Sequence, residues 1–230
     1  MFFSAYTTFT LILFLIWVLL YITQHQVRRE MLILGILALF LLPLTFTVQA
    51  GDAVLTQKLF ESLSLFDLLL SFSLAGIAGV AYHVFFGKHY HLLPSFSSKR
   101  NPKNSMAQFW VLRIFITLLV FVWLTLFFSV AFSFSTALAM LFSAIILALY
   151  IVGHRHDLLV DCLGSGLLTG LLTLSVAGFA GALFHTPIDI AFLAQTNYIL
   201  GVPAELIIWS FALGLLLGPL YEFIRSRELQ

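Results

Sequence analysis

Charge is scarce in this chain. Lys, Arg, Asp and Glu together make 9% of its 230 residues, against 61% hydrophobic, where ordinary soluble domains carry about a quarter charged. So few polar groups cannot cover that much apolar surface, so the chain reads as an integral membrane protein. A formal net charge of +1 leaves no basic patch for a nucleic-acid partner. Cys162 is the one cysteine and sits in an apolar run, which excludes an internal disulfide and a cysteine-based metal site. The lysines, Lys58, Lys88, Lys99 and Lys103, all fall outside the apolar stretches, so no lysine is placed for a Schiff base and a covalent retinal protein is excluded. No G-x-G-x-x-G follows a strand-like segment. Gly164, Gly166 and Gly170 lie inside an apolar run, where close helix packing is the better explanation.

What the chain has instead is apolar length. It divides into seven spans, each near the ~20 residues that cross a hydrocarbon core. They run at about 2–23, 31–48, 62–86, two within 109–152, 157–184 and 201–223. The 109–152 stretch is twice too long for one crossing and carries no charge but Arg113, so it reads as a hairpin turning near Ser129 to Ser133. The first span has no basic residue before it and Arg28 and Arg29 after it. A cleaved leader carries its charge first, so a retained helix is expected. Arg28, Arg29, Lys88, Lys99, Arg100, Lys103, Arg113, Arg155, Arg225 and Arg227 fall on one side, and Lys58 alone on the other. The positive-inside rule then puts the N-terminus out and the C-terminus in, in a multi-pass protein of the cell (cytoplasmic) membrane.

The third and seventh spans repeat one pattern. Asp67 is followed by Gly76, Gly79 and Tyr82; Glu205 is followed by Gly214, Gly218 and Tyr221. The first glycine lies nine residues beyond the acid in both, and the tyrosine fifteen or sixteen. Spans one to three and five to seven then form two like-oriented units, with span four as connector. In these terms 1–230 is one membrane domain. Residues 1–87 are the first three-helix repeat, 88–130 the cytoplasmic loop and connector, and 131–230 the second repeat. The expected fold is all-α, seven helices in a rhodopsin-like arrangement.

A carboxylate in hydrocarbon is costly unless it faces a cavity or a partner, so Asp67 and Glu205 are the first candidates for chemistry. Caps on the first turns of their helices are the structural alternative. At the opposite end, Asp157 and Asp161 are four apart on span six, hence on one face. Arg113, a turn inside span four, is expected to pair with Asp161, and His83 and Glu222 end spans three and seven. This polar cluster reads first as an ion pair locking the helices, then as a proton relay. His89, His91, His154 and His156 alternate near the same surface, but their spacing fixes no tetrahedral set, and neither a metal nor another cofactor is expected.

Pro203-Ala204-Glu205 and Gly218-Pro219-Leu220-Tyr221-Glu222 resemble the lycopene cyclase-like domain, a membrane module of carotenoid-making organisms. Its hallmarks are a proline before an acidic pair, a glycine-rich middle and a terminal tyrosine-glutamate. Asp67, Gly76, Gly79 and Tyr82 are similar to a first copy. Leu206 stands where the second acid would be, Leu65 where the first copy's proline would be, and His83 in place of its glutamate. The resemblance implies a cofactor-free carotenoid β-cyclase, an intramolecular lyase or isomerase. Such a reaction protonates a terminal double bond, stabilises a cation and removes a proton elsewhere. A carboxylic acid in apolar surroundings keeps its proton near neutral pH and can donate it. Glu205 and Asp67, facing one cavity, are the candidate acid and base. Trp209, Phe72 and Phe211 are candidates to stabilise the cation through their ring faces, and Tyr82 and Tyr221 complete the expected substrate contacts. A non-catalytic relative that binds an isoprenoid or lipid is the alternative, favoured by the missing acid and proline. A proton-coupled transporter is a further rival, against which stands the absence of any broken helix in the expected topology. The expected partners are membrane lipid and a long apolar isoprenoid ligand; homo- or hetero-oligomerisation stays open.

Overall fold

The computed structural model describes residues 4–47, 64–86, 90–92, 110–186, 188, 197–225 and 227–229. Among these residues eight α-helices, one 3₁₀ turn (His156–Leu158) before α7 and four short strands follow in chain order: α1 (Ala5–Thr23), α2 (Arg28–Thr47), α3 (Leu65–Ala78), α4 (Ala81–Phe86), β1 (Tyr90–Leu92), α5 (Trp110–Phe132), α6 (Thr136–His154), α7 (Leu159–Phe184), β2 (Tyr198–Ile199), β3 (Val202–Pro203), α8 (Ala204–Arg225) and β4 (Arg227–Leu229). Among the described residues, five helices are long and apolar enough to cross a membrane: α1, α5, α6, α7 with its leading 3₁₀ turn, and α8. Leu65–Ala78 is a shorter apolar helix. The protein is therefore a helical membrane protein. Its outside says the same. Leu15, Trp123, Val130, Leu149, Leu171 and Phe179 all project their apolar side chains outward, a surface that water would penalise and lipid does not.

Helix starts follow their caps. Ser4 and Thr7 form a reciprocal capping box on α1, and Ser64 with Asp67 does the same on α3, each satisfying two otherwise orphaned N–H groups. The expected continuous third span is interrupted: α3 ends at Ala78, Gly79 and Val80 make a turn, and α4 resumes at Ala81. The α5–α6 hairpin turns at residues 133–135, slightly later than expected, with Ser133 at φ 53°. Before α8 a two-residue hairpin joins β2 to β3 through Leu200 and Gly201, both at positive φ (52° and 78°), as the twist of paired strands requires. Ala204 N–H donates to the Asn197 carbonyl at 2.8 Å, so the hairpin sets where α8 starts. The segments after α4 and α8 also meet, as β1 pairs antiparallel with β4, Tyr90 opposite Leu229.

The bundle is centred on α8. Buried residues fill 72% of its apolar window, against 28% to 50% for the other four long helices. It packs most extensively on α7, then on α6, and also meets α3, α4 and α5. On the other side α3 packs on α2 and α1, α1 meets α7, and α5 bridges α2 and α6. Small residues permit the tightest of these contacts. A Cβ on Gly214 would stand 2.5 Å from the Ser165 carbonyl oxygen and 2.9 Å from Gly166 Cα; on Gly218 it would strike the Ser165 side chain. Gly76 lies under the Trp17 ring and Gly79 under Leu34. Both glycine pairs of the repeated pattern are spent on packing.

Candidate functional site

The two acids that open α3 and α8 have different surroundings. Asp67 is buried, and both its oxygens are engaged. Oδ2 accepts from the Ser64 N–H and Ser64 Oγ, each at 2.8 Å, and Oδ1 accepts a short hydrogen bond from the Tyr6 hydroxyl of α1. It closes a cap and ties two helices together. Glu205 is half-buried in the first turn of α8.

Between the helices lies a partly open apolar cavity of about 50 Å³. Its walls come from five helices, including Leu34 and Ala38 of α2, Ser71 and Ala75 of α3, Phe121 of α5, Met140 of α6, and Trp209 and Leu213 of α8. Apart from the Ser71 hydroxyl, the Trp209 indole and the Met140 thioether, the lining side chains are hydrocarbon. Asp67 and Glu205 are not among them. Ser71 is four residues beyond Asp67, and Trp209 four beyond Glu205, so each acid sits one helical turn away on the face that reaches the wall. The two acids do not share this cavity as base and acid.

Of the expected aromatic contacts, Trp209 alone lines the cavity. Phe72 turns away to pack against Trp17, ring centroids 4.8 Å apart with the planes tilted by 52°, and fills the space left by Gly35. Phe211 lies over Gly166 and Gly170 of α7. Both are spent on helix packing because a bare glycine opposite accepts an aromatic ring. Tyr82 covers Gly164, where a Cβ would stand 2.5 Å from its ring, and Tyr221 is buried in α8.

The opposite end of the bundle brings three of the four expected polar residues together. His83 ends α4, Asp161 lies in the first turn of α7, and Glu222 lies in the last turn of α8; all three are buried. His83 Nε2 stands 3.0 Å from Glu222 Oε1. One ligand atom from each of the three falls within 4.8 Å of the others. Ser165, a turn along α7, donates to Asp161 Oδ1 at 3.3 Å. Pro219 inside α8 has no N–H to give the carbonyl four residues back.

The fourth residue, Arg113, is elsewhere. It is exposed near the start of α5 and forms no ion pair with Asp161. A long cationic side chain near a helix end reaches outward to the interface more cheaply than it enters the bundle. Asp157 does not share a face with Asp161 either. It falls in the 3₁₀ turn His156–Leu158, mostly exposed, and pairs with Arg155. Arg155 also donates to the Glu222 carbonyl oxygen at 3.2 Å, so this surface pair rims the buried cluster. His154 and His156 are exposed; His89 lies outside the described residues, as does the side chain of His91.

Sequence reasoning missed Tyr6, Ser165 and Glu30. Tyr6 and Ser165 support named acids from positions without a motif. Glu30, buried in the first turn of α2, was legible only as one more charge beside Arg28 and Arg29. Comparison of the chain with known protein families, curated proteins and solved structures finds no match.

Proposed function

We propose that this chain is a multi-pass protein of the cell membrane that holds a long apolar isoprenoid chain in the cavity beside α3 and α8. The observation that carries the reading is the wall itself. Five helices line a partly open space whose side chains offer one hydroxyl, one indole N–H, one thioether and otherwise hydrocarbon. A polar substrate would leave its groups unpaired there at a cost of several kcal/mol each, whereas an apolar chain gains roughly 25 cal/mol per Å² buried.

In this reading α3 with α4 counts as one crossing and α2 as another, giving seven helices with the N-terminus out. Packing supports a duplicated, rhodopsin-like plan. α3 touches both other helices of its unit, α8 touches both of its own, the two touch each other, and α5 links the units. The reading accords with the lycopene cyclase-like resemblance of Pro203-Ala204-Glu205 and Tyr221-Glu222.

A second reading, acid-initiated cyclisation of a carotenoid end group, rests on Glu205. It is half-buried one turn before Trp209 and off the cavity wall; in this reading it gives its proton to an alkene that reaches past Trp209, whose indole face takes the cation. Asp67, held by Ser64 and Tyr6, is assigned to structure in both readings.

The test is expression in a cell that accumulates lycopene, followed by pigment extraction from the membrane and from purified protein. Binding predicts an isoprenoid that co-purifies with the wild type. Cyclisation predicts ring-closed carotenoids that vanish in Glu205→Gln. Folded protein that purifies free of any isoprenoid overturns binding, and lycopene that stays linear in the same cells overturns cyclisation.

A further inference from the structure

The cavity wall carries one hydroxyl, and that hydroxyl has no partner. Ser71 on α3 is 3% exposed, and its Oγ finds no hydrogen-bond partner among the described residues. The other buried serines behave differently. Ser73 donates to the Leu69 carbonyl oxygen at 2.6 Å, Ser143 to that of Ala139 at 2.7 Å and Ser210 to that of Leu206 at 2.8 Å, each reaching back one turn. Ser165 donates to Asp161 Oδ1 at 3.3 Å. A buried hydroxyl without a partner is destabilising, and Ser71 is left so on the wall of a cavity.

The cavity also limits what enters it. Its volume is about 50 Å³, and one water-sized group needs roughly 10–15 Å³ of such space. A few heavy atoms fit, which is the end of a chain and not its length. Ala38 and Leu213 are the wall residues that are not buried, so the open side lies with them, whereas Ser71 stands among the buried ones. No wall residue is charged. Asp67, one turn before Ser71, is held by Ser64 and Tyr6, and Glu205 lies off the wall. A charged head group would enter without a counter-ion, at a cost that a hydroxyl or carbonyl oxygen avoids.

We infer, resting on the isoprenoid-binding reading of this cavity, that it takes the oxygen-bearing end of an isoprenoid alcohol, aldehyde or ketone, with Ser71 as the hydrogen-bond partner. A serine hydroxyl both donates and accepts, so it pairs with any of the three. It turns about one bond among staggered positions and so follows an oxygen that enters. The apolar wall, with Leu34, Phe121 and Met140, packs the carbons behind that oxygen. A hydrocarbon end fills the same space but leaves Ser71 unpaired. A site that pairs a ligand oxygen disfavours the analogue that lacks it.

The experiment uses full-length protein in detergent micelles that carry equal amounts of phytol and phytene, the same skeleton without the hydroxyl. Both are extracted from the re-isolated protein and from protein-free micelles and quantified by mass spectrometry. Wild type is expected to enrich phytol over phytene by about three- to tenfold relative to the micelles, the range of one neutral hydrogen bond. Ser71→Ala is expected to bind both and to lose that preference. Ser71→Cys, similar in size but a weak donor and acceptor, is expected to lose it likewise and covers a failure of the first variant to fold. Ser73→Ala, whose hydroxyl is already spent on the Leu69 carbonyl, is expected to keep it. Wild type that binds both without preference overturns the role of Ser71 and leaves isoprenoid binding standing, as does a folded Ser71→Ala that keeps the preference. Wild type that retains neither overturns both.

Discussion

His83 at the end of α4 and Glu222 near the end of α8 hold Nε2 and Oε1 3.0 Å apart with both side chains almost wholly enclosed. The pair fastens α4, which follows the cavity-wall helix α3 with Ala75 across the Gly79–Val80 turn, to α8, which carries Leu217 on the wall. It also fixes their direction: α3–α4 and α8 run the same way through the bundle.

Breaking that pair from one side removes a direct partner of the other buried group. His83→Ala and Glu222→Leu are each expected to cost about 3–5 kcal/mol. The double variant is expected to cost clearly less than their sum. Denaturant unfolding in detergent, as a double-mutant cycle, measures this. Additive losses would mean the two groups do not interact.

The glycines facing α7 are intolerant for steric reasons. Gly214→Val drives a branched side chain into the Ser165 carbonyl and the Gly166 backbone, and overpacking of this kind costs about 1–3 kcal/mol or more. Gly153→Ala meets nothing within 4 Å and is expected to be neutral or to stabilise α6 by about 0.5–1 kcal/mol. Melting temperatures of the two variants side by side check the contrast.

Tyr6→Phe removes the hydroxyl that reaches Asp67 from α1. A hydrogen bond to a charged group contributes about 1.5–3 kcal/mol. Ser64→Ala removes the cap on the same helix, worth about 1 kcal/mol. Both are expected to lower stability while leaving isoprenoid co-purification intact, because Asp67 lies off the cavity wall. Loss of the ligand from folded Tyr6→Phe would return Asp67 to the binding site.

Filling the cavity tests its use directly. Ala38→Phe adds a ring at a half-buried wall position on α2. Co-purifying isoprenoid is expected to fall at least tenfold, with the folded yield retained. Quantitative extraction and mass spectrometry read the outcome, and undiminished ligand would place it elsewhere on the protein.

The class of protein and its long helices were legible in the chain because both depend on local composition. An apolar run near ~20 residues with few charges has one stable environment, and glycines four apart, as at Gly214 and Gly218, mark close helix contact whatever the partner. The acids at Asp67 and Glu205 and the cluster of His83, Asp161 and Glu222 were also visible, as charges in places where charge is expensive.

What only the tertiary structure decided is the rotation of each helix and hence the neighbours of each side chain. In a soluble helix the apolar face names the inside and the polar face the outside. Here the lipid-facing and bundle-facing sides are both apolar, so Trp209 on the cavity wall and Phe72 and Phe211 in helix packing look alike in sequence. The same degeneracy hid Arg113 pointing outward and Tyr6 reaching Asp67. Local chemistry sets that the chain is helical and apolar enough for a membrane; contacts between distant segments set which groups meet.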